Sequence, residues 1–197
     1  MPACRSVRRY PRHRIMPAGP SVIFTIGHST HPIEEFVGVL RAHTIALLAD
    51  IRTIPKSRHN PQFNSDALAA SLAAARIGYR HLAALGGLRH ARRDSINTAW
   101  RNASFRGFAD YMQTPEFAAG LDELIEIATA NRTAIMCAEA VPWRCHRSLV
   151  ADALVARGIP VEDILNENRA VPHKITPFAV VSGTRVTYPG QNDLFTT

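Results

Sequence analysis

The stretch TAIMCAEAVPWRCHRSLVADALVARGIPVEDIL, residues 133–165, contains the pattern that decides the fold class. It begins with a short apolar run at Thr133–Cys137 and closes with a second one at 161–165. Between them, Leu149, Val150 and Ala153 have the spacing of one helix face, and Gly158 ends the predicted helix 145–157. In a strand–helix–strand unit, the helix connects two strands that run parallel in the same sheet. The stretch therefore predicts one unit of a parallel α/β sheet.

The same alternation of strands and helices extends toward the N-terminus. Further apolar, β-branched runs predict strands at 22–26, 45–51 and 79–82. Start signals and apolar stripes predict four helices before residue 133. The first begins at Pro32 with His31 as its cap, and the second runs from Asn64 or Ser65 to Arg76. The third spans 105–112, and the fourth begins at Pro115. Because the strand runs are continuous rather than alternating, the sheet should be covered on both faces. We predict a three-layer α/β fold, with a mostly parallel, Rossmann-like sheet between helices, and a hairpin at 182–183.

Length and composition fit a globular chain. The 197 residues are 46% hydrophobic and 20% charged, which is ordinary for a soluble protein. No stretch approaches the roughly 18 apolar residues that a membrane span needs. We therefore expect neither a disordered, a collagen-like nor a membrane protein, and no membrane partner. The expected organisation is a basic tail 1–20, an α/β domain 21–175 and a C-terminal extension 176–197.

The net charge of +7 is concentrated in the tail. Five of the 23 basic residues lie in the first sixteen positions, which contain no acid, so 18 basic residues face 16 acidic ones from Met16 onward. The tail lacks the apolar stretch of a secretory signal. A transit peptide, a nucleic-acid-binding arm and an upstream start codon are the alternatives. We favour a start at Met16 or a disordered arm, and base no function on the tail.

The cysteine count favours reduced thiols. Three cysteines, one of them in the tail, are too few for a disulfide framework. Without an export signal, the expected location is the reducing cytoplasm, where Cys137 and Cys145 would be free.

Distinctive polar residues follow the predicted strands at their carboxyl ends, where open α/β sheets bind their ligands. These residues are His28 and Ser29 after the first strand, Asp50 and Arg52 after the second, and Cys137 and Glu139 after the fourth. Taken singly, each has a structural explanation, such as a small buried thiol for Cys137 or an ion pair for Asp50 and Arg52. Their joint placement at one sheet edge predicts a shared site.

The segment PWRCHR, residues 142–147, adds a candidate anion site. It precedes a predicted helix whose free N–H groups attract anions, and Arg144 and Arg147 flank that helix start. His146 lies three residues before Leu149 and four before Val150, which belong to the apolar helix face, so His146 should face the sheet. A helix N-terminus and nearby arginines would also lower the pKa of Cys145, which makes it the better candidate for a reactive thiol.

Specific phosphatase and cofactor motifs are absent. A phosphatase-type loop needs a cysteine, five residues and an arginine, whereas six residues separate Cys137 from Arg144. Residues 27–30 are too short for a dinucleotide fingerprint or a P-loop. The cysteines and histidines near the strand ends lack the close pairing of a zinc motif. We predict no metal and leave the cofactor unassigned.

Several ordered motifs resemble those of the family called domain of unknown function 488, DUF488. They are TIGHS at 25–29, DIRTIPKSR at 50–58, LGG at 85–87, YM at 111–112, and CAE at 137–139 followed by CHR at 145–147. The resemblance covers roughly residues 22–175 and implies an α/β fold with a shared polar cluster on an enzyme-type scaffold. Through these motifs Ser57, Arg58, Gly86 and Gly87 join the candidate anion-binding residues. The resemblance implies no particular reaction.

Three functional hypotheses follow from these residues. The first is an enzyme acting on a small phosphate-bearing or otherwise anionic substrate, with a nucleotide or nucleic acid included. In it, the anion is held by Arg52, Arg58, Arg144 and Arg147; the acid/base is His146 or His28, oriented by Asp50 or Glu139; the nucleophile is Cys145 or Cys137. The second is a nucleic-acid-binding module that uses the tail and the arginines of the loop 89–93. The third is a thiol redox protein that uses Cys137 and Cys145.

Overall fold

The computed structural model describes residues 21–190. Within this range the strands are β1 Ile23–Gly27, β2 Leu47–Asp50, β3 Gly78–His81, β4 Thr133–Cys137, β5 Val161–Asn166, β6 Arg169–Pro172, β7 Val180–Ser182 and β8 Arg185–Thr187. The α-helices are α1 Ile33–Ala42, α2 Ser65–Ala74, α3 Ala103–Tyr111, α4 Pro115–Ala130 and α5 Arg147–Ala156. The basic tail 1–20 and residues 191–197 of the predicted extension lie outside the described residues.

Six strands form one sheet in the order β3-β2-β4-β1-β5-β6. The five strands from β3 to β5 are parallel, and β6 pairs antiparallel with β5 at the edge. In register, Gly27 lies beside Cys137, and Asp50 lies beside Met136. The carboxyl ends of β1, β2 and β4 therefore meet at one edge of the sheet, as the sequence predicts.

Helices cover both faces of the sheet, which confirms the three-layer α/β fold. One face packs against α1 and α2 through an apolar cluster that includes Phe24, Phe36 and Leu68. The other packs against α3, α4 and α5 through a second cluster that includes Leu121 and Leu149. Successive strand residues alternate between these clusters, so strands buried on both faces need continuous apolar runs.

Several helix boundaries differ from the sequence predictions for local reasons. Helix α1 has Pro32 as its N-cap, because the ψ of Pro32 is 145° and the first helical residue is Ile33; the side chain of His31 contacts Glu35. Helix α2 ends at Ala74, and Arg76 has a positive φ of 61° where the chain turns toward β3. Helix α5 begins at Arg147 rather than at 145, because residues 142–144 form a 3₁₀ turn and Cys145 is extended.

The predicted hairpin is formed by β7 and β8, with Gly183 at a positive φ of 60° in the turn. Strand β6 was not predicted: it lies at the sheet edge, begins after a polar turn and ends in Pro172, so it has no apolar run to reveal it.

Residues 176–190 pack against the α/β body. Tyr188 is fully buried, and its hydroxyl donates to Asp152 Oδ2 of α5 at 2.8 Å. The other carboxylate oxygen of Asp152 contacts His173 Nε2 at 2.8 Å, and His173 Nδ1 lies 3.0 Å from Asp163 Oδ2. Thr25 of β1 donates to the remaining oxygen of Asp163 at 2.6 Å. This buried network joins the C-terminal segment, α5, β5 and β1.

No helix among residues 21–190 combines the length and the apolar character needed to cross a membrane.

Candidate functional site

A cleft of about 680 Å³ opens at the carboxyl edge of the parallel strands. Its walls come from the segments that follow β1, β2, β3 and β4 and from the start of α3. Ten of the predicted site residues line it: His28, Ser29, Arg52, Ser57, Gly87, Cys137, Glu139, Arg144, Cys145 and His146. The structure therefore gathers the candidates from three strand ends and from the segment before α5 into one space.

Two thiols and an imidazole meet in this cleft. His146 Nδ1 lies 3.7 Å from Cys137 Sγ and 3.8 Å from Cys145 Sγ. On the other side of the ring, His146 Nε2 lies 3.1 Å from the carbonyl oxygen of Ile51. A carbonyl can only accept, so Nε2 carries a proton, and in the corresponding neutral tautomer the lone pair is on Nδ1, the ring atom that faces the two sulfurs. We call Cys137, Cys145 and His146 the Cys–Cys–His cluster.

The two thiols have opposite tendencies to ionise. The interaction between the two thiols raises the pKa of Cys137 well above and lowers the pKa of Cys145 well below the usual thiol value. Burial raises the pKa of both thiols, but for Cys145 it is outweighed, with His146 and the charge of Arg147 adding to the lowering. Both cysteines are free and at most 7% exposed.

Arg52 is held rigidly at the end of β2. Its Nε donates to Asp50 Oδ1 at 2.9 Å, and its Nη2 donates to Asp50 Oδ2 at 2.6 Å and to the carbonyl of Phe63 at 2.8 Å. Its Nη1 donates to His28 Nε2 at 3.3 Å. Tyr79 adds a hydrogen bond of 2.8 Å to Asp50 Oδ2. These bonds use four of the five N–H groups, so a fixed guanidinium faces the cleft with one donor left on Nη1.

His28 is an uncharged partner of Arg52. Its Nδ1 donates to the Ser29 carbonyl at 2.8 Å, which leaves Nε2 as the acceptor for Arg52. The ring stacks on Phe63 with 4.1 Å between centroids. Burial lowers the pKa of His28 to about 4. At neutral pH, His28 is therefore uncharged and poorly suited to hold a proton for acid/base catalysis.

Close backbone approach explains the glycines near the site. A Cβ on Gly87 would overlap the His146 ring, with Cγ at 2.7 Å, and one on Gly86 would lie 2.6 Å from Thr53 Oγ1. A Cβ on Gly27 would overlap the backbone of Glu139. The predicted anion-binding Gly86-Gly87 pair thus makes room for neighbouring groups, and only Gly87 lines the cleft.

Arg147 lies beneath the loop that joins β4 to α5 rather than in the cleft. It is fully buried, and its two terminal nitrogens donate to the carbonyls of Glu139 and Ala140, the latter at 2.8 Å. It has no carboxylate partner among residues 21–190, so its positive charge acts on the nearby Cys–Cys–His cluster. The first N–H groups of α5 are also engaged: Ser148 and Leu149 donate to the carbonyls of residues 145 and 146.

The remaining candidates differ in their placement. Arg144 and Glu139 are exposed at the cleft, whereas Asp50 is fully buried behind Arg52 and Arg58 is exposed outside the lining. In the loop 89–93 the three arginines have different environments: Arg89 stacks on Tyr111 and donates to the Gly86 carbonyl, Arg92 pairs with Asp94, and Arg93 is exposed.

Sequence reasoning missed several parts of the site. Lys56 and Asn60 line the cleft from the loop after β2, and Phe63 supports both His28 and Arg52. Lys56 lies within a stretch that the family resemblance covers, which was the available signal. The carbonyl that orients His146 belongs to the backbone of Ile51, and every residue type has such a carbonyl, so the sequence does not indicate this contact.

These features define a class: an α/β protein with a parallel sheet between two helix layers and a thiol–imidazole cluster in the cleft at its carboxyl edge. The family model called domain of unknown function DUF488 matches residues 32–154. The chain belongs to this family, as its motifs predict. No curated protein and no solved structure matches the chain significantly.

Proposed function

We propose that this protein is an enzyme that acts on a small phosphate-bearing or similarly anionic substrate, with the Cys–Cys–His cluster as its reaction centre. The observation that carries the proposal is the contact of both sulfurs with one nitrogen, His146 Nδ1, in a cleft that also contains cationic side chains. A thiol beside an imidazole that can take its proton is the arrangement of an activated nucleophile.

The charges of the cleft favour an anionic substrate. Arg52 presents one free N–H on a guanidinium that Asp50 holds in place, so its geometry is fixed before binding. Lys56 and Arg144 line the same cleft and are exposed, so they can reach a charged group at its mouth. Buried Arg147 adds a positive charge from below the loop.

Cys145 is the proposed nucleophile, and His146 is the acid/base. Cys145 lies two residues before α5, at the positive end of that helix, and the interaction with the Cys137 thiol lowers the pKa of Cys145. His146 Nδ1 takes the proton of Cys145, and the imidazolium keeps its second N–H on the Ile51 carbonyl. The thiolate then forms a bond to the electrophilic atom of the substrate while the bond to the leaving group breaks, and His146 returns the proton to the leaving group. A water molecule completes the turnover by cleaving the sulfur–substrate bond, which restores the thiol.

Alkylation with iodoacetamide near neutral pH tests this proposal. The full chain with Cys4→Ser leaves only the two thiols of the cluster, and peptide mapping separates them. We expect Cys145 to react about tenfold faster than Cys137. His146→Asn should slow the alkylation of Cys145, and inorganic phosphate should protect Cys145 from the reagent. Equal inertness of both thiols in the native protein would contradict the proposal.

A matched pair of arginine variants tests the anion site. Arg144→Ala removes an exposed arginine at the cleft, and Arg93→Ala removes one outside its lining. Protection by phosphate should weaken in the first variant and stay unchanged in the second. Equal weakening in both would mean that phosphate acts through general charge rather than through the cleft.

The proximity of the two sulfurs supports thiol redox chemistry as a second candidate. The two sulfurs lie within 4.8 Å of each other. A disulfide bond of about 2.05 Å would therefore require them to approach by at most about 2.8 Å. Treatment with diamide would then remove two hydrogens from the intact mass and join residues 137 and 145 in one crosslinked peptide. An unchanged mass would eliminate this candidate and leave the nucleophilic reaction.

A nucleic-acid-binding module has less support. Two arginines of the loop 89–93, Arg89 and Arg92, already have protein partners, and the basic tail lies outside the described residues. Binding with a steep salt dependence that survives Cys145→Ala and His146→Ala would favour the module over the enzyme.

A further inference from the structure

The Cys–Cys–His cluster has the dimensions of a metal site. Its three ligand atoms, two Sγ and His146 Nδ1, lie within 4.8 Å of one another, and Nδ1 is 3.7 and 3.8 Å from the sulfurs. In a tetrahedral zinc site, bonds of about 2.3 Å to sulfur and about 2.0 Å to nitrogen place these ligand atoms about 3.6 Å apart. The observed separations therefore need only small adjustments to coordinate one ion.

The surroundings of His146 also match those of a ligand. Metal-binding histidines donate their second ring N–H to a carboxylate, a backbone carbonyl or water, which fixes the tautomer and the ring orientation. His146 Nε2 makes this bond to the Ile51 carbonyl at 3.1 Å. Gly87 packs directly against the ring, and Phe108 contacts it edge-on with 4.9 Å between centroids. The lone pair of Nδ1 is thus aimed at the sulfurs before any ion binds.

We propose that Cys137, Cys145 and His146 bind a single thiophilic metal ion, with Zn²⁺ as the reference ion, through two thiolates and Nδ1. Because all three residues line the cleft, the fourth coordination position faces the substrate space. Two thiolates neutralise a divalent ion, so a neutral site replaces the thiols without leaving a buried charge. Binding releases the protons that the cluster carries.

The inference goes beyond the proposed function. Coordination uses one of the three lone pairs of each thiolate and places its negative charge beside a cation, which lowers the nucleophilicity of the sulfur. The metal-loaded protein is therefore a form in which the thiol chemistry is slowed. Zn²⁺ should protect both thiols from alkylation and should block crosslinking by diamide.

Titration with Co²⁺ under anaerobic, reducing conditions tests the site directly. The full chain with Cys4→Ser should bind one equivalent and show the sulfur-to-cobalt charge-transfer absorption of thiolate ligands together with the visible bands of a tetrahedral ion. Zn²⁺ should displace Co²⁺. Cys137→Ser, Cys145→Ser and His146→Asn should each weaken binding at least about 100-fold, whereas His90→Asn, which changes an exposed histidine of the loop 89–93, should not.

The outcomes separate this inference from the proposed function. Absence of the charge-transfer band, or its persistence in both serine variants, would overturn the metal site. Fast alkylation of Cys145 without Co²⁺ binding would do the same while leaving the nucleophilic reaction in place. Tight Co²⁺ binding with inert thiols in the metal-free protein would support the site and contradict the reaction. Alkylation of the wild-type thiols with and without Zn²⁺ needs no variant, so it tests the metal site even where a variant fails to fold. Protection by Zn²⁺ would support the site, and equal alkylation rates would contradict it.

Discussion

Alkaline pH should weaken the native fold by discharging His173. The imidazole lies between two carboxylates, with Asp152 at 2.8 Å and Asp163 at 3.0 Å, and its side chain is 5% exposed. Burial alone would lower the pKa of His173, but the hydrogen bonds to the two carboxylates outweigh it and raise the pKa from 6.5 to about 9. At about 1.4 kcal/mol per pKa unit, this difference corresponds to about 3 kcal/mol of stability.

The direction of the effect follows from the raised pKa. The folded protein holds the His173 proton more tightly than the unfolded chain does, so the stabilisation is complete below pH 6.5. It decreases as the pH rises through this value and is lost once the pH passes the folded pKa of about 9. The free energy of unfolding should fall across this window, in the opposite direction to the stabilisation that paired carboxylates gain as the pH rises.

Urea unfolding of wild type and His173→Asn under reducing conditions measures this contribution. The difference in unfolding free energy between the two proteins should be about 3 kcal/mol larger at about pH 6 than at about pH 10. Taking the difference removes the titration of thiols and tyrosines that both proteins share. His90→Asn serves as the control and should show no such change. A wild-type advantage of the same size at both pH values would refute the assignment of a protonated His173.

Two substitutions test other parts of the fold. Gly87→Ala places a methyl group against the His146 ring. We therefore expect weaker Co²⁺ binding and slower alkylation of Cys145, with a native circular dichroism spectrum. Unchanged Co²⁺ binding would show that the ring has room to move. Tyr188→Phe removes the O–H that Asp152 accepts at 2.8 Å and should cost about 1–3 kcal/mol in urea unfolding. A neutral result there would mean that the C-terminal segment does not depend on this buried bond.

Much of the fold could be predicted because local pattern and tertiary structure agree. The runs at Ile23–Gly27 and Thr133–Cys137 are continuous and apolar since both faces of these strands are buried. Proline and polar residues mark the starts of the helices, as with Thr114, whose hydroxyl accepts the Phe117 N–H at 3.3 Å. Parallel strands bring their carboxyl ends to one edge, and that topological rule is what allowed distant residues to be grouped into one candidate site.

The unpredicted features depend on contacts that span long stretches of chain. Arg147 looked like an anion ligand because basic residues at a helix start often are, yet its partners are loop carbonyls whose position only the folded backbone sets. Gly87 gave no sign of its contact with His146, which is 59 positions away in the numbering. The Ile51 carbonyl is equally invisible, since every residue type supplies a carbonyl oxygen.

That last feature bears on how the protein tolerates mutation. The atom that sets the tautomer of His146 belongs to the backbone at residue 51, and any amino acid there presents the same oxygen. Its position is fixed by the neighbouring strand, because the Ile51 N–H donates to the Met136 carbonyl at 3.0 Å. The proton on the far side of the imidazole is thus insensitive to the type of side chain at residue 51. The orientation of the ring itself still depends on the space that Gly87 leaves beside it. Genetic variation at residue 51 should therefore leave the tautomer of His146 unchanged, whereas a larger side chain at residue 87 should displace the ring.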